Sequence, residues 1–103
     1  MIRPSPRPGS EFDGALRAAR DGRFARAVAQ VERALGTERP ADARRIAAVE
    51  ALGQVARLAE AGGDAAAGAD ALERALRLQP DYPDLWLRRA RLLLALQRGG
   101  EAR

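Results

Sequence analysis

Arginine supplies most of the available chemistry in this sequence: there are 18 basic residues, all of them Arg, with no Lys and no His. A guanidinium stays charged at ordinary pH and presents a rigid fork of donors that meets a carboxylate with two parallel hydrogen bonds. Three arginines recur five residues after a large apolar residue: Arg17 after Phe12, Arg57 after Leu52 and Arg91 after Trp86. Arg88 lies near the last of these, and Gln54 two residues past Leu52. Asp13, Glu50, Glu60 and Asp84 sit close to the same arginines and partly cancel their charge. The recurrence also has a bland reading, because so many arginines produce coincidences.

Catalysis has little to work with. No Cys and no His are present, and the two serines, Ser5 and Ser10, lie in or beside the amino-terminal tail. Ser–His and Cys–His nucleophile pairs and ordinary zinc sites are therefore excluded. A phosphate-cradling loop would need its Lys. Carboxylates such as Asp64 and Asp70 are expected to be solvated on a helical surface. The chain is read as a non-enzyme with no cofactor and no metal.

A net charge of +4 and a pI near 11.1 point towards nucleic acid, a membrane surface or acidic peptides as partners. An Ala- and Arg-rich, Lys-free composition is also what a GC-rich genome encodes. Interspersed acids, and aromatics at 4%, weigh against base stacking along a nucleic acid strand. An Arg-rich nucleic-acid-binding domain is thus the alternative, and a protein or peptide partner the main reading. The 103 residues allow one domain with a modest Ala/Leu core. No apolar run approaches the ~20 residues of a membrane span, and the amino terminus has no apolar signal core, so a cytoplasmic location is expected.

Five helical segments position these residues. Residues 1–10 form a Pro/Arg tail expected to be extended and disordered, and Gly9-Ser10-Glu11-Phe12 also looks like a remnant of adjacent cloning sites. Ser10, with Asp13 three residues on, alternatively reads as a helix start. The first helix spans 11–21 and its partner 23–35, punctuated by Gly22 and Gly36. The third and longest starts between Thr37 and Pro40 and runs to Glu60 or Ala61, with Ile46, Val49, Leu52, Val55, Ala56 and Ala59 apolar. Gly62-Gly63 breaks it, and Asp64 caps a fourth helix over 65–78. That helix contains Gly68, which costs about 1 kcal/mol relative to Ala unless a neighbouring helix approaches closely there. Pro80 forces a corner, and a fifth helix follows with Pro83 in its first turn.

The stretch from Ala71 to Ala102 resembles a tetratricopeptide repeat (TPR). Trp86 fits the family's aromatic slot, Ala90 its small slot, Ala75 the small residue late in the second helix, and Pro80 the closing Pro. Ala102 falls where the next small residue belongs. Leu52 to Trp86 and Gly68 to Ala102 are each 34 residues apart, which is the family period. Ala27 to Gly68 is 41, a surplus of about two helical turns assigned to the third helix. Arg89 departs from the pattern, standing where the family usually has Leu.

The resemblance implies an all-α fold of antiparallel helix hairpins, 11–36 and 38–79 with a half-repeat 83–103, stacked as a short right-handed solenoid. It implies a core containing Leu52, Ala75, Leu76, Trp86, Ala90 and Leu93, with Trp86 wedged at a seam. Trp86→Ala would then cost about 3–5 kcal/mol. It further implies a concave groove that binds a peptide or partner helix, with Arg17, Gln54, Arg57, Arg88 and Arg91 facing an acidic or carboxylate-ended ligand. This is similar in principle to the carboxylate clamp of chaperone-binding TPR proteins, although the Lys and Asn of that clamp are missing. A five-helix up-and-down bundle is the alternative architecture. Helix 5 carries more Leu than one stripe buries, so Leu92 and Leu96 are expected to form an exposed patch covered by more chain, a second copy or a partner.

Overall fold

A computed structural model describes residues 10–37 and 40–101, with side chains described from 11 to 97. Residues 1–9 of the expected tail and the slot residue Ala102 lie outside the described residues. Ser10 does not belong to a disordered tail: Ser10–Phe12 is a 3-10 turn that runs directly into α1 (Asp13–Arg20). No side chain caps α1, so the expected Ser10 start is replaced by this turn. There follow α2 (Phe24–Leu35), α3 (Asp42–Ala61), α4 (Ala65–Leu78) and α5 (Pro83–Glu101), and the described residues contain no strand.

The two intra-hairpin turns share one construction. Gly22 and Gly63 have φ of +82° and +80°, a region that an L side chain reaches only under strain. At each, paired backbone bonds close the helix: Gly22 N–H to Ala19 O with Arg23 N–H to Ala18 O, and Gly63 N–H to Glu60 O with Asp64 N–H to Ala59 O. Asp64 then accepts from the Ala67 N–H at 3.0 Å and opens α4. The α1/α2 and α3/α4 hairpins therefore turn the same way by the same means.

Helix α3 is the hub. It packs on α1, α2 and α4, and α4 in turn carries α5. Its buried residues Ala48, Val49, Ala51, Leu52, Val55, Ala56 and Ala59 spread over more than one face because it has neighbours on more than one side. Ile46, expected in that apolar face, is exposed, since it lies in the added turns beyond the packed hairpin. Those turns have another use. Arg44 donates to both Glu11 carboxylate oxygens, at 2.9 Å each, and to the Ala34 carbonyl at the end of α2. It thus ties three segments together. Helix α4 is tied to α2 by the Arg74–Glu32 pair.

Leu52, Ala75 and Leu76 are buried, together with Phe12, Val31, Val55 and Leu72. The core expected on α5 is displaced. Trp86 is 50% exposed and Leu93 41% exposed, Ala90 is also exposed, and α5 instead buries Leu85 and Leu92. Leu92 is therefore no part of an exposed patch: its Cδ1 lies 3.0 Å from where a Cβ on Gly68 would stand, and the Ala56 carbonyl 3.3 Å from it. Gly68 is the close-approach point of α3 and α5 on α4. Leu96 is exposed, as are Leu87 and Leu94. The physical reason is geometric. Leu85 and Leu92 lie seven residues apart on one side of α5, and Trp86, Ala90 and Leu93 lie around the helix from them.

Candidate functional site

Between α3 and α5 lies a cavity of about 200 Å³ lined by Val49, Glu50, Gly53, Gln54, Arg57, Tyr82, Leu85 and Arg88. A Cβ on Gly53 would stand 3.7 Å from an Arg88 guanidinium nitrogen, an ordinary van der Waals distance. Arg88 crosses from α5, and its Nη2 donates to the Gly53 carbonyl at 3.3 Å. Burial lowers the proton affinity of Arg88, and the neighbouring charge of Arg57 lowers it further, against partial relief from Glu60 and Tyr82. Two guanidinium groups thus sit in each other's field at one half-enclosed place, with the amide of Gln54 beside them. The site can hold an anion, most simply a carboxylate. Glu50, on the same lining, limits how much negative charge it accepts.

Of the residues named from sequence, the structure gathers Gln54, Arg57 and Arg88 here. Arg17 lines a separate depression of about 320 Å³ on α1, with Asp13, Leu16 and Arg20. Arg91 is exposed on α5 and does not line this cavity. The offset-of-five pattern therefore does not assemble one three-arginine site. Gly53 and Tyr82 were not singled out by sequence reasoning. Nothing in the spacing marks Tyr82, but a Gly one residue past the Leu52 anchor is the signal that could have marked the cavity floor.

A larger cavity lies elsewhere. About 810 Å³ open between the ends of α2 and α4 and the start of α3, with Leu35, Pro40, Leu52 and Leu78 as its apolar part and Arg33, Arg74 and Arg77 around it. Arg74 there is already committed to Glu32 and Asp70, and the Glu32 bond raises its proton affinity. Among the described residues no group of acids could hold a metal ion, and no helix is long and apolar enough to cross a membrane.

Residues 48–92, from α3 through α4 into α5, match the family model described as the tetratricopeptide repeat. Such repeats generally mediate protein–protein interaction and are typically non-enzymatic. No curated protein and no solved structure matches the chain.

Proposed function

We propose that this chain is a tetratricopeptide repeat adaptor that holds an acidic or carboxylate-ended segment of a partner protein in the α3–α5 cavity. The observation that carries this reading is Arg88, half-buried beside the like charge of the exposed Arg57, where an anion would relieve it. Arg88 and Arg57 fork the carboxylate, and Gln54 offers a further donor. A cavity of about 200 Å³ suits one side chain or a chain terminus rather than a whole peptide, so the rest of the segment runs along the exposed surfaces of α3 and α5.

The test is fluorescence anisotropy with a panel of labelled peptides ending in Asp or Glu, each compared with its carboxy-amidated form. Saturable binding is expected, weakened by about 1–3 kcal/mol in Arg57→Ala and in Arg88→Ala. Loss on amidation identifies the terminal carboxylate as the group held. Gly53→Leu, which fills the cavity, is expected to abolish binding. Affinity indifferent to all three substitutions would remove the cavity from the function.

A further inference from the structure

Arg17, Arg20, Arg23, Arg26 and Arg33 of the first hairpin are exposed and enter none of the ion pairs formed among the described residues. Two of the acids that would balance them are turned elsewhere. Glu11 holds Arg44 of α3 and Glu32 holds Arg74 of α4, so the next hairpin neutralises both carboxylates. Asp13 and Asp21 are the other acids of α1, α2 and their turn. Arginines of α3 and α4 are matched instead: Arg45 by Asp42, Arg74 by Asp70 as well as Glu32, and Arg77 by Glu73. Tying one hairpin to the next thus leaves a surplus of positive charge on α1 and α2.

Helical geometry puts that surplus on one face. Arg26 and Arg33 are seven residues apart, about 10.5 Å along the axis, on the side of α2 opposite the buried Val28 and Val31. Arg17 lies opposite the buried Ala15 and Ala19 of α1, and Arg20 and Arg23 flank the Gly22 turn at the edge of the face. Ala29 and Gln30 separate the arginines of α2, and the face has no apolar centre. Every large hydrophobic residue exposed among the described ones, from Ile46 to Leu96, lies in α3 or beyond it. Phe24, the aromatic of α2, packs at the α3–α4 turn, its Cζ 2.9 Å from where a Cβ on Gly62 would stand.

We propose that this face binds the phosphate backbone of a nucleic acid duplex without reading its sequence. A duplex presents one charge per about 1.7 Å of its axis, so each guanidinium finds a phosphate whatever the bases are. Protein interfaces centre on well-packed anchors such as Trp and Tyr, and the face offers none. A helix that lies in a membrane surface carries Trp, Phe or Leu into the headgroup layer, and these too are missing. A single strand would be held by stacking on aromatic side chains. Another helical hairpin stacked here would find no large apolar side chain to pack on, and would bury Arg17, Arg26 and Arg33 without counter-charges. This surface does not depend on the Arg57–Arg88 cavity.

The probe is a fluorescein-labelled random-sequence DNA duplex, titrated with the intact chain by anisotropy at a series of salt concentrations. Binding is expected at low salt, with the same affinity for duplexes of unrelated sequence. The logarithm of the association constant is expected to fall with the logarithm of salt at a slope of about −3, for three or four phosphates held. Arg17→Gln, Arg26→Gln and Arg33→Gln are each expected to make that slope shallower by about 1. Arg91→Gln, at an exposed arginine of α5, is expected to leave the slope unchanged, and Arg57→Ala to leave duplex binding intact. Gln is as good a helix former as Arg, and circular dichroism confirms that each variant is folded. Three outcomes would each overturn the proposal: no binding at low salt, Arg91→Gln acting as strongly as Arg26→Gln, or tighter binding to phosphatidylserine vesicles or to a single strand than to the duplex.

Discussion

Arg88 carries its charge into a place that resists it, and the direction of that effect makes a prediction. Burial first, and Arg57 second, lower its proton affinity in the folded chain. A base whose folded pKa lies below its unfolded one opposes folding fully at every pH beneath the folded value. The penalty fades only under strongly alkaline conditions, so it is undiminished near neutrality. Arg88→Met keeps the aliphatic stem and removes the charge. It is expected to unfold in urea at a concentration no lower than the parent chain while losing affinity for acidic peptides. A marked fall in the urea midpoint would show that Arg88 is there for stability. Trp86 poses the converse case. As a wedged core residue it would cost about 3–5 kcal/mol on truncation. Half of it is in solvent, so Trp86→Ala is expected to cost about 2 kcal/mol, scaling with the area it still buries. Leu72→Ala, at a fully buried position of α4, is expected to cost about 2–5 kcal/mol. Urea titration of the two variants side by side checks the order.

Among the elements, α4 depends most on one small residue. A Cβ on Gly68 would stand 3.0 Å from Leu92 of α5 and 3.3 Å from the Ala56 carbonyl of α3, and the backbone oxygen has little freedom to move. Gly68→Leu is therefore expected to cost at least about 1–3 kcal/mol by overpacking, despite the gain of about 1 kcal/mol from replacing a mid-helix Gly. Thermal unfolding followed by circular dichroism measures the balance. The helices themselves were legible because their punctuation is local: Gly22 and Gly63 at the turns, Asp64 as a cap, Pro80 at the corner. The two-turn surplus was also legible as an interval, 41 residues against 34; that Arg44 uses it to tie Glu11 and Ala34 was not, because that contact joins distant segments. On α5 periodicity could not choose the buried side. The helix is apolar on both, and only the placement of α4, with Gly68 opposite Leu92, decides that Leu85 and Leu92 go in and Trp86, Ala90 and Leu93 stay out. In the candidate site the donors Arg57, Arg88 and Gln54 could be named in advance. Their company could not, since Arg17 and Arg91 share the same offset and end up elsewhere.

For the molecule as a whole, order of contact sets order of opening. Each helix packs mainly on its neighbours in sequence, with α3 touching α1, α2 and α4, whereas α5 rests chiefly on α4. From Leu93 to Gln97 the side chains of α5 are exposed, and its outer face leaves Trp86, Leu87, Leu93 and Leu94 in contact with water. In a stack of this kind stability is approximately a sum of repeat and nearest-neighbour terms, so an end element can detach without disrupting the rest. Native-state hydrogen exchange is expected to find α3 and α4 amides protected by close to the global unfolding free energy. Amides of α5 are expected to open earlier, with a smaller dependence on denaturant because less surface is exposed. Leu92→Ala, which empties the contact over Gly68, is expected to lower protection in α5 much more than in α1 and α2. A single opening shared by all the helices, with Leu92→Ala lowering every amide equally, would mean that the stack behaves as one closed cooperative unit. Any ligand that binds the closed state and not the opened one would slow α5 exchange by its own binding free energy.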